Sequence, residues 1–236
     1  MDFGLSSAIK LRKRERVNPV IAEIKVYSPK YGDLLRGRDP IKILRAYESA
    51  GAVGISYITE PKYFKGNFEL FRRICKETDL PVLRKDFITS KDEIERTAEA
   101  EASAVLLITR ILGNKTAEFV DYALEHGLET LVEVHTKDDV RIANETKTPM
   151  IGINNRDILR LERDDRTVEL TEKLCRYVND GIVRVSESGI SSVEDLKRAL
   201  RCVDAALIGT AFMKAENTKE VVKAFVGGVP WTLKVF

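Results

Sequence analysis

Apolar residues in this chain gather into eight short runs rich in Val, Ile and Leu: Val20–Val26, Val53–Thr59, Val82–Lys85, Ala104–Ile108, Thr130–Val134, Met150–Asn154, Val183–Ser186 and Ala205–Ile208. Runs of this length and composition predict strands. Between them the apolar positions change to helical spacing. Ile41–Ser49 carries Ile41, Leu44 and Ala46 behind a Pro40 start, and Phe68–Thr78 repeats the pattern at Phe68, Phe71, Ile74 and Cys75. Lys91–Ala102, Thr116–His126, Asp138–Thr146, Thr167–Val178, Val193–Leu200 and Lys219–Phe225 complete the predicted helices. Eight strands alternating with eight helices predict an α/β fold, a closed parallel (β/α)8 TIM barrel. An open doubly wound sheet also alternates, but it usually has fewer strands and a glycine-rich first turn, and no G-x-G-x-x-G occurs here. Gly51, Gly127 and Gly181 sit where helix C-caps belong. Ser90, and Ser191 or Ser192, precede acidic first turns as N-caps do.

Four of these strands break their own apolar pattern near the C-terminal end. Glu23 and Lys25 stand two apart in Ile21-Ala-Glu-Ile-Lys and so share a face of the strand. Lys85 closes the run at Leu83, Glu133 interrupts Leu131–Val134, and Met150–Asn154 runs on into Asn155 and Arg156. One such break is a strand-end charge reaching solvent. Four at strand C-termini match the place where α/β barrels keep their catalytic groups.

Composition narrows the function classes. A chain of 236 residues fits one barrel domain over 1–236, with 1–19 as a short N-terminal extension and Ala8–Arg16 as its one helix. Lys and Arg number 39 against 37 acidic residues, a net charge of +2, so no nucleic-acid footprint is expected. Cys75, Cys175 and Cys202 form no C-x-x-C pair, which argues against a zinc site and against a disulfide framework. No apolar run approaches the about 18 residues of a membrane span, so a soluble, cytoplasmic protein is expected. Two late motifs look built for a phosphate: Ser188-Gly189 after the seventh strand and Gly209-Thr210 after the eighth. Small residues there let backbone N–H groups approach an anion, with Arg156 and Lys25 as cationic partners.

With these residues in view, the chain resembles the indole-3-glycerol phosphate synthase family of tryptophan biosynthesis. The matching segments are Ile21-Ala-Glu-Ile-Lys with Ser28-Pro29, Thr59–Gly66, Leu83–Phe87, Leu131–Val134, Ile151–Arg156, Val185–Gly189 and Ile208–Ala211, in family order. The resemblance implies ring closure of 1-(2-carboxyphenylamino)-1-deoxyribulose 5-phosphate with loss of carbon dioxide and water. It implies Lys85 as principal acid and Glu133 as base, with Lys25 as electrostatic partner or second acid. Glu23, Asn154 and Glu187 would orient the lysines and the ribulose hydroxyls. Lys25, Arg156, Ser188, Gly189, Gly209 and Thr210 would hold the phosphate, with Ser28 at its edge. Ile58, Phe64, Phe87, Leu107 and Ile158 are the candidates for the wall against the aromatic ring.

Family members usually carry a longer segment before the first strand, so the cover over the aromatic end is expected to be reduced. The loop Pro29–Pro40, rich in Gly and charge, reads as a mobile lid. His126 and His135 lack partners at ligand spacing and are expected to pack at surface or loop positions. No metal or cofactor is called for. The expected partner is a phosphorylated small molecule, with no nucleic acid and no membrane, and the chain is expected as a monomer or weak homo-oligomer. The apolar tail Val229–Phe236 is expected to pack on the barrel bottom. A sugar-phosphate isomerase on a similar barrel would call for a Cys or Asp acid–base pair where this chain has Lys and Glu. A catalytically silent binding barrel would have no need of so many buried charges.

Overall fold

The computed structural model describes residues 4–156 and 167–228. Eight parallel strands close on themselves: β1 (Val20–Ile24), β2 (Gly54–Ile58), β3 (Val82–Lys85), β4 (Ala104–Ile108), β5 (Glu129–Val134), β6 (Met150–Asn154), β7 (Val183–Glu187) and β8 (Ala205–Ile208). Each pairs with its sequence neighbour, and β1 pairs with both β2 and β8. This is the (β/α)8 barrel that the alternation predicts. Helices run between consecutive strands, for example Pro40–Ser49, Phe68–Glu77, Lys91–Glu99 and Val193–Ala199. Gly51 and Gly127 directly follow their helix caps with φ of 88° and 76°, a region that costs an L side chain energy, whereas Gly181, with φ of 90°, lies in the turn before β7, beyond the helical residues that end at Tyr177. Of the two serines considered, Ser192 is the N-cap, accepting from the Asp195 N–H in a capping box.

Alternation along each strand sorts the apolar residues into two layers. Ile21, Leu83, Leu106, Leu131, Val185 and Leu207 point into the barrel. Ile24, Ile55, Leu107, Val132 and Ile153 point outward against the helices. The inner layer is completed from outside the sheet. The N-terminal helix spans Leu5–Arg14 rather than Ala8–Arg16, and its Leu5 and Ile9 are fully buried within the inner cluster. Leu5 lies against Gly54 at the start of β2, close enough that any Cβ there would collide with its methyl group. At the start of β5, Glu129 accepts from the Ser6 N–H at 2.9 Å and from its hydroxyl at 2.5 Å. The helix therefore plugs the end of the barrel where the strands begin, opposite the end where Lys85 and Glu133 lie. Leu5→Ala is expected to cost about 2–5 kcal/mol in guanidinium unfolding, from lost burial and a residual cavity, while leaving KM unchanged.

Local elements without a strong periodic signal are additions to the expected list. Tyr27–Ser28 and Gly32–Asp33 pair as a small antiparallel ribbon inside the first βα loop. Leu34 is fully buried and donates to the Val26 carbonyl at 2.9 Å. Arg38 donates to the Leu34, Leu35, Met213 and Ala215 carbonyls and to the Thr218 hydroxyl. The segment read as a mobile lid is thus tied down at Leu34 and at Arg38. Short helices also follow β4 (Thr109–Leu112) and β8 (Thr210–Lys214). The predicted helix Thr167–Val178 is helical over Glu169–Leu174 and continues as a 3-10 turn to Tyr177. Cys175 and Cys202, distant in sequence, become neighbours, both free thiols whose Sγ atoms donate to the Glu172 and Thr171 carbonyls. The tail Val229–Phe236 lies outside the described residues. No helix among those described is long and apolar enough to cross a membrane.

Candidate active site

The strand ends converge on one cavity, open at the mouth. Its floor is apolar: Leu106, Ile108 and Leu207 from the barrel interior. Register places the polar groups in one layer above it, with Ile58 beside Lys85, Ile108 beside Glu133, and Asn154 beside Glu187. Glu23, Lys25, Lys85, Glu133, Asn154, Arg156, Ser188, Gly189, Gly209 and Thr210 all line it. Glu187 lies just behind, fully buried.

These groups touch. The Lys85 ammonium lies 2.7 Å from the Glu187 carboxylate and 3.9 Å from Glu23. Lys25 pairs with Glu23 at 3.2 Å and donates to the Thr210 hydroxyl at 3.4 Å. Two glycines make room for the carboxylates: a Cβ on Gly152 would overlap Glu187, and one on Gly209 would overlap Glu23. Asn154 accepts from the Arg156 N–H at 3.1 Å, which turns its amide N–H groups toward Glu133. Glu23, Glu133 and Glu187 each keep one buried oxygen without a hydrogen-bond partner among the described residues. Buried acceptors of this kind are rare in a purely structural core; Glu23 and Glu133 line the cavity, while the Glu187 oxygen packs beside Gly152.

One wall is apolar. Ile58, Phe64, Phe87 and Ile190 line it, and the Phe64 ring lies 5.8 Å from the Lys25 ammonium. Glu60 holds the Phe64 loop by accepting from the backbone of Lys62, Tyr63 and Phe64. Gly66 is required where this loop turns back, because a Cβ would collide with the Ile58 and Thr59 backbone. Two expectations need correction. Leu107 belongs to the outer layer, and its neighbours Leu106 and Ile108 face the cavity. Ser28 is buried inside the first βα loop, accepting from Lys30 and Tyr31 N–H, and does not line the cavity. Ile158 lies outside the described residues. His126 is exposed on a helix end, whereas His135 is buried with its Nε2 3.4 Å from Glu133.

The family model for indole-3-glycerol phosphate synthase matches residues 5–225. The chain belongs to this family. Proteins named indole-3-glycerol phosphate synthase from Pyrococcus furiosus and Pyrococcus abyssi are 69% and 66% identical over 95% of this chain, covering 97% and 96% of their own lengths. A solved thiamine phosphate pyrophosphorylase from Pyrococcus furiosus shares the fold, with a TM-score of 0.67 at 16% identity over 93% of this chain and 97% of that one.

In this member of the indole-3-glycerol phosphate synthase family, crowding of charge sets the protonation of the site. Burial works against an ammonium at Lys85, but Glu187, Glu23 and Glu133 outweigh it and hold its pKa above the ordinary lysine value. Glu187 is pushed up to about 7, first by burial and then by its carboxylate neighbours, against the pull of Lys85. Burial also raises Glu133, opposed by Lys85 and by the hydrogen bond from Asn154. The layer thus presents a firmly charged ammonium beside a carboxylate of heightened basicity. Sequence reading missed Asp86, whose oxygens are held by Arg84 (3.1 Å) and the Phe87 N–H (2.8 Å) at the cavity edge. Arg84 is buried and also bonds Thr59, Thr97 and the Glu93 carbonyl. A guanidinium ending an apolar strand beside Lys85 was the available signal.

Proposed function

We propose that the chain closes the indole ring of 1-(2-carboxyphenylamino)-1-deoxyribulose 5-phosphate, with Lys85 as acid and Glu133 as base. The observation that carries this reading is the Lys85 ammonium held among three carboxylates at the cavity that Glu133 and Asn154 also line. The loops at Ser188-Gly189 and Gly209-Thr210, with Lys25 and Arg156, seat the phosphate. Ile58, Phe64 and Phe87 face the aromatic ring.

Chemically, Lys85 gives its proton to the ribulose carbonyl oxygen as the ring carbon bearing the carboxylate attacks the carbonyl carbon. The carbon–carbon bond forms, and carbon dioxide departs to restore the aromatic ring. The new hydroxyl then leaves as water, protonated by an ammonium of the site, while Glu133 takes a proton from the nitrogen-containing ring. One proton is consumed overall. The barrel fixes the groups for these steps on strand ends.

Glu133 works ionised, so its raised pKa sets an acid limit on activity. Burial raises Glu133, so the acid limb of kcat/KM is expected above the usual 4.5 of a glutamate. Asn154→Ala removes a hydrogen bond to the charged form, so this limb should move further up. A pH profile of indole fluorescence checks both shifts, and a limb at or below 4.5 in the parent would remove Glu133 as the base. Stability has the opposite slope. A carboxyl with a raised folded pKa binds its proton more tightly when folded, so its contribution falls as pH rises from 4.5 to about 7. Release of carbon dioxide and an indole chromophore in equal amounts is the test of the reaction itself. Phosphate binding without either product would leave the silent-barrel reading.

A further inference from the structure

Directly after Asn154 stands Asn155, fully buried and facing away from the cavity. Its side chain is completely engaged. Its Oδ1 accepts from the Thr171 N–H at 3.0 Å and from the Thr171 hydroxyl at 3.1 Å. A backbone N–H can only donate, so this fixes the amide orientation and points Nδ2 at the loop after β7. There the two Nδ2 hydrogens are shared among the Glu187 carbonyl (2.9 Å), the Ser188 carbonyl (3.1 Å) and the Ser186 hydroxyl (3.2 Å). The Glu187 carbonyl also accepts from the Asn155 backbone N–H at 2.9 Å. One residue therefore grips two consecutive peptide units of that loop.

Those two units matter for different reasons. Glu187 carries the carboxylate at Lys85, 2.7 Å away. Ser188 has φ of +62° and the following Gly189 +73°; an L residue adopts the first only where its surroundings hold it. We propose that Asn155 is a positioning residue for this enzyme: its amide holds Ser188 in the left-handed conformation that shapes the phosphate seat and sets Glu187 at its 2.7 Å contact with Lys85. Asn155 touches no substrate and acts through the loop. This rests on the reading of Ser188-Gly189 as a phosphate seat. Serine or alanine at 155 keeps the backbone N–H bond but loses the grip on Ser188, and the shorter side chain cannot reach both Thr171 and the loop.

The test uses Asn155→Ala, Asn155→Ser and Thr171→Val in the full chain, with inorganic phosphate as the calorimetric probe. Thr171→Val disturbs the same buried network from its other end while leaving the Nδ2 bonds in place. The expected result is a phosphate Kd and a KM raised about tenfold or more in the Asn155 variant that folds, the scale of one or two lost hydrogen bonds. Thr171→Val should lower Tm with Kd and KM within about twofold. Phosphate affinity and KM unchanged in a folded Asn155 variant, or raised equally in Thr171→Val, overturns the positioning role and leaves a structural one. Failure of the parent protein to bind phosphate saturably overturns the seat itself, and that outcome is read before any variant is made.

Discussion

Lys85→Ala is expected to lower kcat by about 10²- to 10⁴-fold, the usual worth of a positioned general acid, while inorganic phosphate binds as in the parent. The reason lies in the geometry. Lys85 is the ammonium that faces Glu187, Glu23 and Glu133 together, and Lys25 is committed to Glu23 and Thr210. The same variant has a stability signature. Removing one partner of a buried ion pair costs about 3–5 kcal/mol when the other stays charged. Glu187 already stands at about 7 and rises further without its ammonium, so it takes up a proton instead. Destabilisation should therefore be larger at pH 8 than at pH 6, as guanidinium unfolding at the two values would show. Equal loss at both would mean that Glu187 is not the group left behind.

Glu133→Gln is the second large effect. The amide keeps the shape and a hydrogen-bonding oxygen but cannot accept the proton released as the ring aromatises. A fall in kcat of about 10²- to 10⁴-fold is expected with KM little changed. Asn154 would still bond the side chain, so the fold should be retained. Because Glu133 acts after ring closure, the variant is expected to release carbon dioxide faster than it forms indole. Carbon dioxide and indole appearing at the same slow rate would place Glu133 at the first step instead.

The barrel and the charged layer at its mouth were legible because they write contradictions into the chain. A lysine at the end of Val82–Lys85 or a glutamate inside Leu131–Val134 breaks an apolar run at a desolvation cost that only a partner at another strand end can offset. Facing within those runs was harder to read. β4 is apolar at all five positions because both faces are buried, so alternation could not say whether Leu107 or its neighbours looked inward. The pairing of Ile108 with Glu133 decides it, and pairing is a tertiary fact. Ser28 was misplaced for a related reason: it is used up within a two-stranded ribbon too short for any periodic signal. The N-terminal helix showed itself as a short amphipathic stretch. That it plugs the strand-start end follows only from Leu5 meeting Gly54 and Ser6 meeting Glu129. Asn155 looked like a second copy of Asn154, and only the opposite direction of its side chain separates support from site.

The most direct test of the assignment is a single-turnover experiment. Excess parent protein, Lys85→Ala and Glu133→Gln are each mixed with 1-(2-carboxyphenylamino)-1-deoxyribulose 5-phosphate, and carbon dioxide and indole fluorescence are followed in the same samples. The account predicts both products together from the parent, both slowed about 10²- to 10⁴-fold in Lys85→Ala, and carbon dioxide ahead of indole from Glu133→Gln. Indole formation by Lys85→Ala at a rate near the parent's would contradict it, because the proton that starts ring closure would then come from another group.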